Sequence, residues 1–215
     1  MIFLLAIPGA FFAPVIHEWV KAMVSTALGD DTPRSRGFLT WNPFKFFEPI
    51  GFILMMVFYM GWGRPVPTSS LHYKDRRKGT ILTYTVPILA NLLIGILVIM
   101  IVAVVRNPLL QWGIQQYLQD ASWALTLARR SIDMAEIFAF CNISLALFNL
   151  LPVYPLAGNK LIQLFVSPET VARMNHFEKP MQIILILLLA IGILSMIVTP
   201  VAAAIIDSVN SFMRF

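Results

Sequence analysis

The sequence predicts an all-helical integral membrane protein, and three observations carry that prediction. Hydrophobic residues make up 58% of the 215 residues, whereas charged residues make up 13%, against about 25% in a soluble domain. The mean hydropathy is +0.77. Four apolar stretches are long enough to cross about 30 Å of hydrocarbon as helices: residues 2–28, 80–105, 135–156 and 181–206. We expect them to form one membrane domain over residues 1–215.

The first stretch, residues 2–28, is apolar from its start and lacks the basic region of a cleaved signal peptide, so we expect a retained span. Residues 30–63 predict a short re-entrant or hairpin segment. Within it, residues 34–47 alternate in a way that favours a short strand or hairpin. Residues 49–62 are apolar but short for a crossing, which favours a re-entrant segment or short helix.

Polar segments separate the remaining spans. Residues 64–79 form a loop with five Lys and Arg residues. Residues 106–134 are polar with an amphipathic pattern, which predicts an extramembrane surface helix or loop between two spans. Residues 157–180 are polar again, and Pro200 is expected to kink or end the last span.

The distribution of positive charge predicts the orientation. If residues 49–62 do not cross, the loops 29–48, 64–79 and 157–180 lie on one side of the membrane. That side carries eleven Lys and Arg residues, and the other carries four, which are Arg106, Arg129, Arg130 and Arg214. The positive-inside rule then places the first side in the cytoplasm and the N-terminus outside. A full crossing by residues 49–62 would make the two counts much less lopsided.

The composition also limits the partners. The formal net charge is +5, which the cytoplasmic loops account for, and no basic cluster is interleaved with stacking aromatics, so we expect no nucleic acid partner. The expected partners are membrane lipid and other integral membrane proteins. Many apolar faces on a small chain indicate that it belongs to a larger membrane complex.

Three ionisable residues interrupt the first span: His17, Glu18 and Lys21. Such residues cost about 2.5–3.5 kcal/mol each on insertion scales, and they usually pair or line a cavity. The pattern H-E-x-x-K differs from the zinc-peptidase helix H-E-x-x-H at its fifth position only. A lysine ammonium has no lone pair for a metal, so the spacing predicts an i,i+3 ion pair between Glu18 and Lys21.

Further motifs make this helix more than a chance match. The chain resembles the site-2 protease family of intramembrane zinc metalloproteases, specifically its short bacterial branch. The matching segments follow one another at comparable spacing over almost the whole chain: H-E-W-V-K-A from His17, L-G-D-D-T-P from Leu28, R-G-F-L-T-W-N-P from Arg36, E-P-I-G from Glu48, G-W-G-R-P-V-P from Gly61, P-I-L-A-N-L-L from Pro87 and N-L-L-P-V-Y-P-L-A-G-N from Asn149.

The resemblance implies a zinc site with three protein ligands, which would fall on His17, Lys21 and Ala157. Only His17 is able to bind zinc, and a zinc site needs three or four protein ligands. Glu18 matches the family's general base but would have no metal-bound water to activate. We therefore expect these to be vestigial metal-site positions, with no zinc or other cofactor and no catalytic residue.

Four other positions match the family's motifs. Pro152 and Pro155 are expected to break the helix after residue 150 and to leave irregular backbone beside a cavity. Asn91 and Asn149 could hydrogen-bond an extended peptide or a partner helix, or could tie the spans together.

The hypothesis that follows is a catalytically inactive homologue, a pseudoprotease of the bacterial inner membrane. It would act as a scaffold, subunit or regulator that binds transmembrane segments of other proteins. One alternative is an active intramembrane metalloprotease with non-standard ligands, in which His72 or His176 joins His17. Another is a transport or cofactor-complex subunit that reuses the fold, with the Lys–Glu pair on a proton or anion path.

Overall fold

The computed structural model describes residues 2–119 and 122–213, which contain helices and connecting segments but no strand. The helices are α1 Ile2–Ala27, α2 Thr32–Ser35, α3 Pro49–Phe58, α4 Arg76–Leu118, α5 Ser122–Phe148, α6 Ala157–Ile162, α7 Pro168–His176, α8 Glu178–Ala190 and α9 Ile193–Phe212. Within this part of the chain α1, α4, α5 and α9 are long and apolar enough to cross a membrane. The prediction of an all-α membrane protein is confirmed. Arg214, used in the charge count, lies outside the described residues.

The strand or hairpin expected in residues 34–47 is wrong. Short helical turns stand there instead: α2, and a 3-10 turn at Pro43–Phe46. Pro43 lacks the N–H that a ladder needs. Asn42 caps the turn, because its Oδ1 accepts the Phe44 N–H at 3.1 Å. Capping by a nearby side chain thus satisfies a backbone N–H group in a segment that the alternating pattern predicted to be a strand.

The short apolar segment forms α3, which has ten residues and is about 15 Å long, half the thickness of the hydrocarbon. Glu48 caps its first turn by accepting the Gly51 N–H. Gly51 also lies directly against the Trp62 carbonyl, where a Cβ atom would clash. This close contact holds α3 against the extended segment that follows it.

The separate surface helix or loop predicted for residues 106–134 is not what the described residues show. Residues 106–118 and 122–134 are instead the ends of two long helices, α4 and α5, which continue past the apolar stretches. Polar composition predicted an exit from the membrane but carried no information on where the helices stop. α4 alone has 43 residues and extends for about 65 Å.

The prediction of one continuous last span over residues 181–206 is also wrong. Gly192 adopts φ +82° and divides it into α8 and α9. The Gly192 N–H bonds the Leu189 carbonyl at 2.9 Å, as at a glycine-terminated helix end. α9 then runs through Pro200, so the expected exit there does not occur.

The core lies where α1, α3, α5, α8 and α9 meet. Small residues on α1, Ala10 and Ala13, are fully buried there with Leu145 and Phe148 of α5. α4 approaches α5 closely at Gly95, whose missing side chain leaves room for Ile143, as is usual between membrane helices. Many of the buried polar residues, His17, Glu18, Lys21, Ser25 and Asp30 among them, lie at the end of the bundle where α1 ends.

Candidate functional site

His17, Glu18 and Lys21 lie in the C-terminal half of α1. All three are buried, with 4%, 7% and 6% of their surface exposed. The Lys21 Nζ lies 2.7 Å from the Glu18 Oε2. The predicted ion pair is therefore confirmed. Because an isolated buried charge would cost several kcal/mol, each residue makes the other tolerable inside the bundle.

Two further contacts hold this pair. The Val66 N–H donates to the Glu18 Oε2 at 2.7 Å, which ties the segment after α3 to α1. The Lys21 ammonium lies 5.6 Å from the centre of the Tyr84 ring on α4, within cation–π range. The Glu18 Oε2 and the Lys21 ammonium are thus both held by other groups of the chain.

His17 belongs to a chain of side-chain hydrogen bonds across three helices. Its Nδ1 lies 3.1 Å from the Asn91 Oδ1. The Asn91 Nδ2 donates to the Ala13 carbonyl and to the Asn142 Oδ1, so its Oδ1 is the acceptor and the His17 Nδ1 carries the proton. That assignment leaves the Nε2 of His17 as the nitrogen with a lone pair. Asn91 therefore ties α1, α4 and α5 together.

The α5 break falls where the prolines predicted it. α5 ends at Phe148, and residues 149–156, which contain Pro152 and Pro155, carry irregular backbone to α6. Asn149 spans this break: its Nδ2 donates to the Leu145 carbonyl at 3.0 Å, and its Oδ1 accepts the Ala157 N–H at 3.3 Å. These contacts give Asn149 a tying role; binding of a peptide by Asn91 or Asn149 stays a prediction.

The fold brings several of the predicted residues to one small void. His17, Glu18, Asn149 and Pro155 line it, together with residues of α1, α5 and the segment 62–65, and its volume is ≈ 10 Å³. That is room for about one water molecule. The two histidines proposed as replacement ligands lie elsewhere: the His72 Nδ1 contacts Asp30 at 3.1 Å, and His176 is exposed at the end of α7.

The donor set does not fit the zinc that the family motif implies. Lys21 is an ammonium paired with Glu18, and Ala157 has no donor atom. In residues 2–119 and 122–213, no three His, Cys, Asp or Glu side chains are grouped so that they could hold a metal ion. The site consists instead of a Lys–Glu ion pair, whose two charges balance each other, beside a histidine.

Sequence reasoning missed two polar residues near this site. Asn142 on α5 joins the His17–Asn91 chain and donates to the Phe138 carbonyl. Asn159 on α6 is 1% exposed, and neither amide atom has a hydrogen-bond partner within the described structure. Both are polar residues in or beside an apolar stretch. The same signal identified His17 and could have identified them.

Fold and site together define a multi-pass, all-helical membrane protein in which a buried H-E-x-x-K helix stands in place of H-E-x-x-H. The chain is 29% identical over 197 residues to "Putative zinc metalloprotease YwhC" of Bacillus subtilis, an alignment that covers 90% of this chain and 84% of YwhC. It is 25% identical over 174 residues to "Putative zinc metalloprotease Rip2" of Mycolicibacterium smegmatis, covering 79% of this chain and 60% of Rip2. These relatives confirm the resemblance to the site-2 protease family.

No protein-family model matches the chain. No solved structure matches it either. The relationship therefore rests on the two curated relatives and on the ordered motifs.

Proposed function

We propose that this chain is a non-catalytic site-2 protease homologue that binds transmembrane segments of partner membrane proteins as a scaffold, subunit or regulator. The single observation that carries the proposal is the Glu18–Lys21 ion pair at 2.7 Å. It stands where the family motif has a base and a metal ligand. Ala157 removes the third ligand position independently.

The chemistry of the pair argues against hydrolysis by the family's route. The Oε2 of Glu18 pairs with Lys21 and accepts the Val66 N–H, so that oxygen is not free to take a proton from water. One imidazole, that of His17, cannot provide the three protein ligands of a catalytic zinc. These residues therefore provide no metal-activated water for Glu18 to deprotonate.

Binding of a partner segment is supported by the backbone that faces the site. Residues 60–69 form neither helix nor strand between α3 and the turn at Ser70. The N–H groups of Arg64, Val66 and Ser69 bond within the protein, which fixes the segment without pairing it in a sheet. The exposed residues of this segment, Arg64 and Pro65, are where we expect a partner segment to bind.

We further propose the bacterial inner membrane as the location, with the N-terminus outside. The eleven Lys and Arg residues of the loops 29–48, 64–79 and 157–180 support this orientation. α3 is too short to cross the membrane, so it does not reverse this orientation.

Metal content tests the loss of catalysis. Elemental mass spectrometry on protein purified without chelator should give zinc near zero per chain. The matched variant carries Lys21→His with Ala157→Asp, which restores the family's ligand types, and should take up about one zinc per chain. Zinc near one in the unmodified protein would overturn the proposal.

Partner binding needs its own measurement. A photo-crosslinking amino acid at the exposed Arg64 position should give adducts with transmembrane segments of other proteins in native membranes. The control position is Arg173, exposed on α7. Adducts of equal yield and identity at both positions would remove the support for a binding edge at residues 60–69.

A further inference from the structure

A second polar cluster lies far from the Lys–Glu pair, between α4 and α5. Arg106 from α4 and Arg129 and Arg130 from α5 line a cavity of ≈ 440 Å³, together with Asp133 and Glu136. Nothing in the proposed function uses this cavity. Three arginines converging on one space from two helices need a chemical explanation of their own.

The depth of the cavity in a membrane follows from the helix length. Residues 79–105 of α4 carry no charge, and 27 helical residues measure about 40 Å. A bilayer with its headgroups is about 40–45 Å thick. With Lys78 at one surface, Arg106 therefore lies at the headgroup level of the other. On α5, Glu136 is the last charged residue before the uncharged residues 137–159, which gives the same level.

The charges of the cavity are only partly balanced from within. Arg106 pairs with Glu136, and Arg130 lies 3.4 Å from Asp133. Arg129 is exposed and forms no ion pair within the described residues. Among the described residues that line the cavity, three arginines therefore stand against two carboxylates. The Arg106 Nε is buried without a hydrogen-bond acceptor. An unmet donor and an uncompensated guanidinium together call for an anion.

The surroundings of Arg106 favour an anion that arrives from the membrane. A second cavity of ≈ 450 Å³ adjoins Arg106 on the side of α9 and is lined by Asn107 and Asn210. Trp112 and Trp123 are exposed on the ends of α4 and α5, and tryptophan concentrates at membrane–water interfaces. A headgroup at this level would meet donors on both sides of Arg106.

We propose that the cavity lined by Arg106, Arg129 and Arg130 binds a phosphate group, from the headgroup of an anionic phospholipid or from free phosphate. Guanidinium groups present planar donors that match phosphate oxygens. The two carboxylates hold Arg106 and Arg130 in place, and Arg129 supplies the unbalanced charge.

Native mass spectrometry of the purified chain with added phosphatidylglycerol or phosphatidylcholine tests the site. The unmodified protein should retain phosphatidylglycerol preferentially, and Arg129→Gln should weaken that retention about fivefold, as expected for one arginine at an anionic surface. Arg129 forms no ion pair in the part of the chain that the structure describes, so this variant should fold. The control, Arg173→Gln, removes an exposed arginine on α7 and should change nothing.

The source of the phosphate is decided by a competition arm. Inorganic phosphate at millimolar concentration that displaces phosphatidylglycerol, and protects the protein thermally only when Arg129 is present, would assign the site to free phosphate. Failure of inorganic phosphate to compete would assign it to the lipid. Equal retention of the two lipids with no thermal effect of phosphate, or equal losses in Arg129→Gln and Arg173→Gln, would overturn the proposal.

Discussion

Two carboxylates are buried at the same end of the molecule, and the chain accommodates them in different ways. Glu18 lies inside the first span and is met by a full positive charge, Lys21. Asp30 lies three residues beyond α1 and is met by hydrogen-bond donors: the Ser25 hydroxyl at 2.8 Å, the Thr32 N–H at 3.0 Å, the Ser69 N–H at 2.7 Å and the His72 Nδ1 at 3.1 Å.

Both carboxylates perform the same mechanical task. Glu18 holds the Val66 N–H and Asp30 holds the Ser69 N–H, so each clamps the segment after α3 to the end of α1. The difference lies in how the negative charge is stabilised. Inside the span, the counter-ion Lys21 stabilises the charge of Glu18. Beyond the end of the span, neutral hydrogen-bond donors and a half-exposed histidine stabilise the charge of Asp30. The clamp inside the span is therefore the more fragile, because it depends on a single partner.

The ionisation of Asp30 follows from its donors. Burial opposes the charged form, but hydrogen bonds from Thr32, Ser69, Ser25 and His72 outweigh burial and hold the pKa of Asp30 well below its usual range. Those donors are several and are spread over side chains and backbone, so none of them alone has to balance the charge. We expect the two sites to respond differently to loss of one partner.

The largest effect is expected from Lys21→Ala. The substitution leaves the Glu18 carboxylate buried without its counter-ion, which should lower the free energy of unfolding by about 3–5 kcal/mol. The double variant Glu18→Ala with Lys21→Ala removes both charges and should lose about half as much. Denaturant titration in detergent micelles, arranged as a double-mutant cycle, measures the coupling. Equal losses for the single and the double variant would contradict the ion-pair account.

Asp30→Asn should have the next largest effect. The amide keeps the shape, but its nitrogen cannot accept a hydrogen bond, so donors now bound to one carboxylate oxygen lose their acceptor. We expect a loss of about 2 kcal/mol in the free energy of unfolding. Proteolysis within residues 64–72 should also become faster. A stable variant with an unchanged digestion pattern would mean that Asp30 does not clamp this segment.

Much of the fold was predictable because hydropathy and proline act locally. The break after α5 follows from Pro152 and Pro155, and the Glu18–Lys21 pair follows from i,i+3 spacing. The division between α8 and α9 was not predictable. A Cβ atom at Gly95 would meet Ile143 of α5, whereas one at Gly192 would meet nothing within 4 Å, and Gly192 takes φ +82°. A sequence shows two glycines in apolar stretches and does not show what packs against them.

The long-range part of the site was hidden for the same reason. Glu18 and Val66 are 48 residues apart, and His17 and Asn91 are 74 apart. Polarity in an apolar span marked His17 and a family motif marked Asn91, but only the packing of α1 against α4 and α5 joins them. The clamp on Val66 uses a backbone N–H, which has no signature in any sequence.

The pH dependence of stability should separate the two clamps further. Because the pKa of Asp30 is depressed in the folded state, its contribution is present above the ordinary aspartate pKa of about 3.9 and is lost as the pH falls below it. The unfolded chain then takes up a proton that the folded chain does not, which costs up to about 1.4 kcal/mol per pH unit. Unfolding between pH 6 and 3 should therefore show a steeper acid loss in the unmodified protein than in Asp30→Asn. Parallel curves would assign the acid sensitivity to other groups.

The smallest effect is expected at an exposed pair with the spacing of the buried one. Arg34 and Asp31 are also i,i+3 neighbours, with Arg34 Nη1 3.4 Å from Asp31 Oδ1, but their side chains are 66% and 78% exposed. Water already solvates both charges, so Arg34→Ala should change the free energy of unfolding by less than about 0.5 kcal/mol. Arg34→Ala and Lys21→Ala should be measured under one set of conditions. The two ion pairs that they remove share the i,i+3 spacing and differ in burial. A loss at Arg34 as large as that at Lys21 would mean that spacing, not the absence of water, sets the worth of the buried pair.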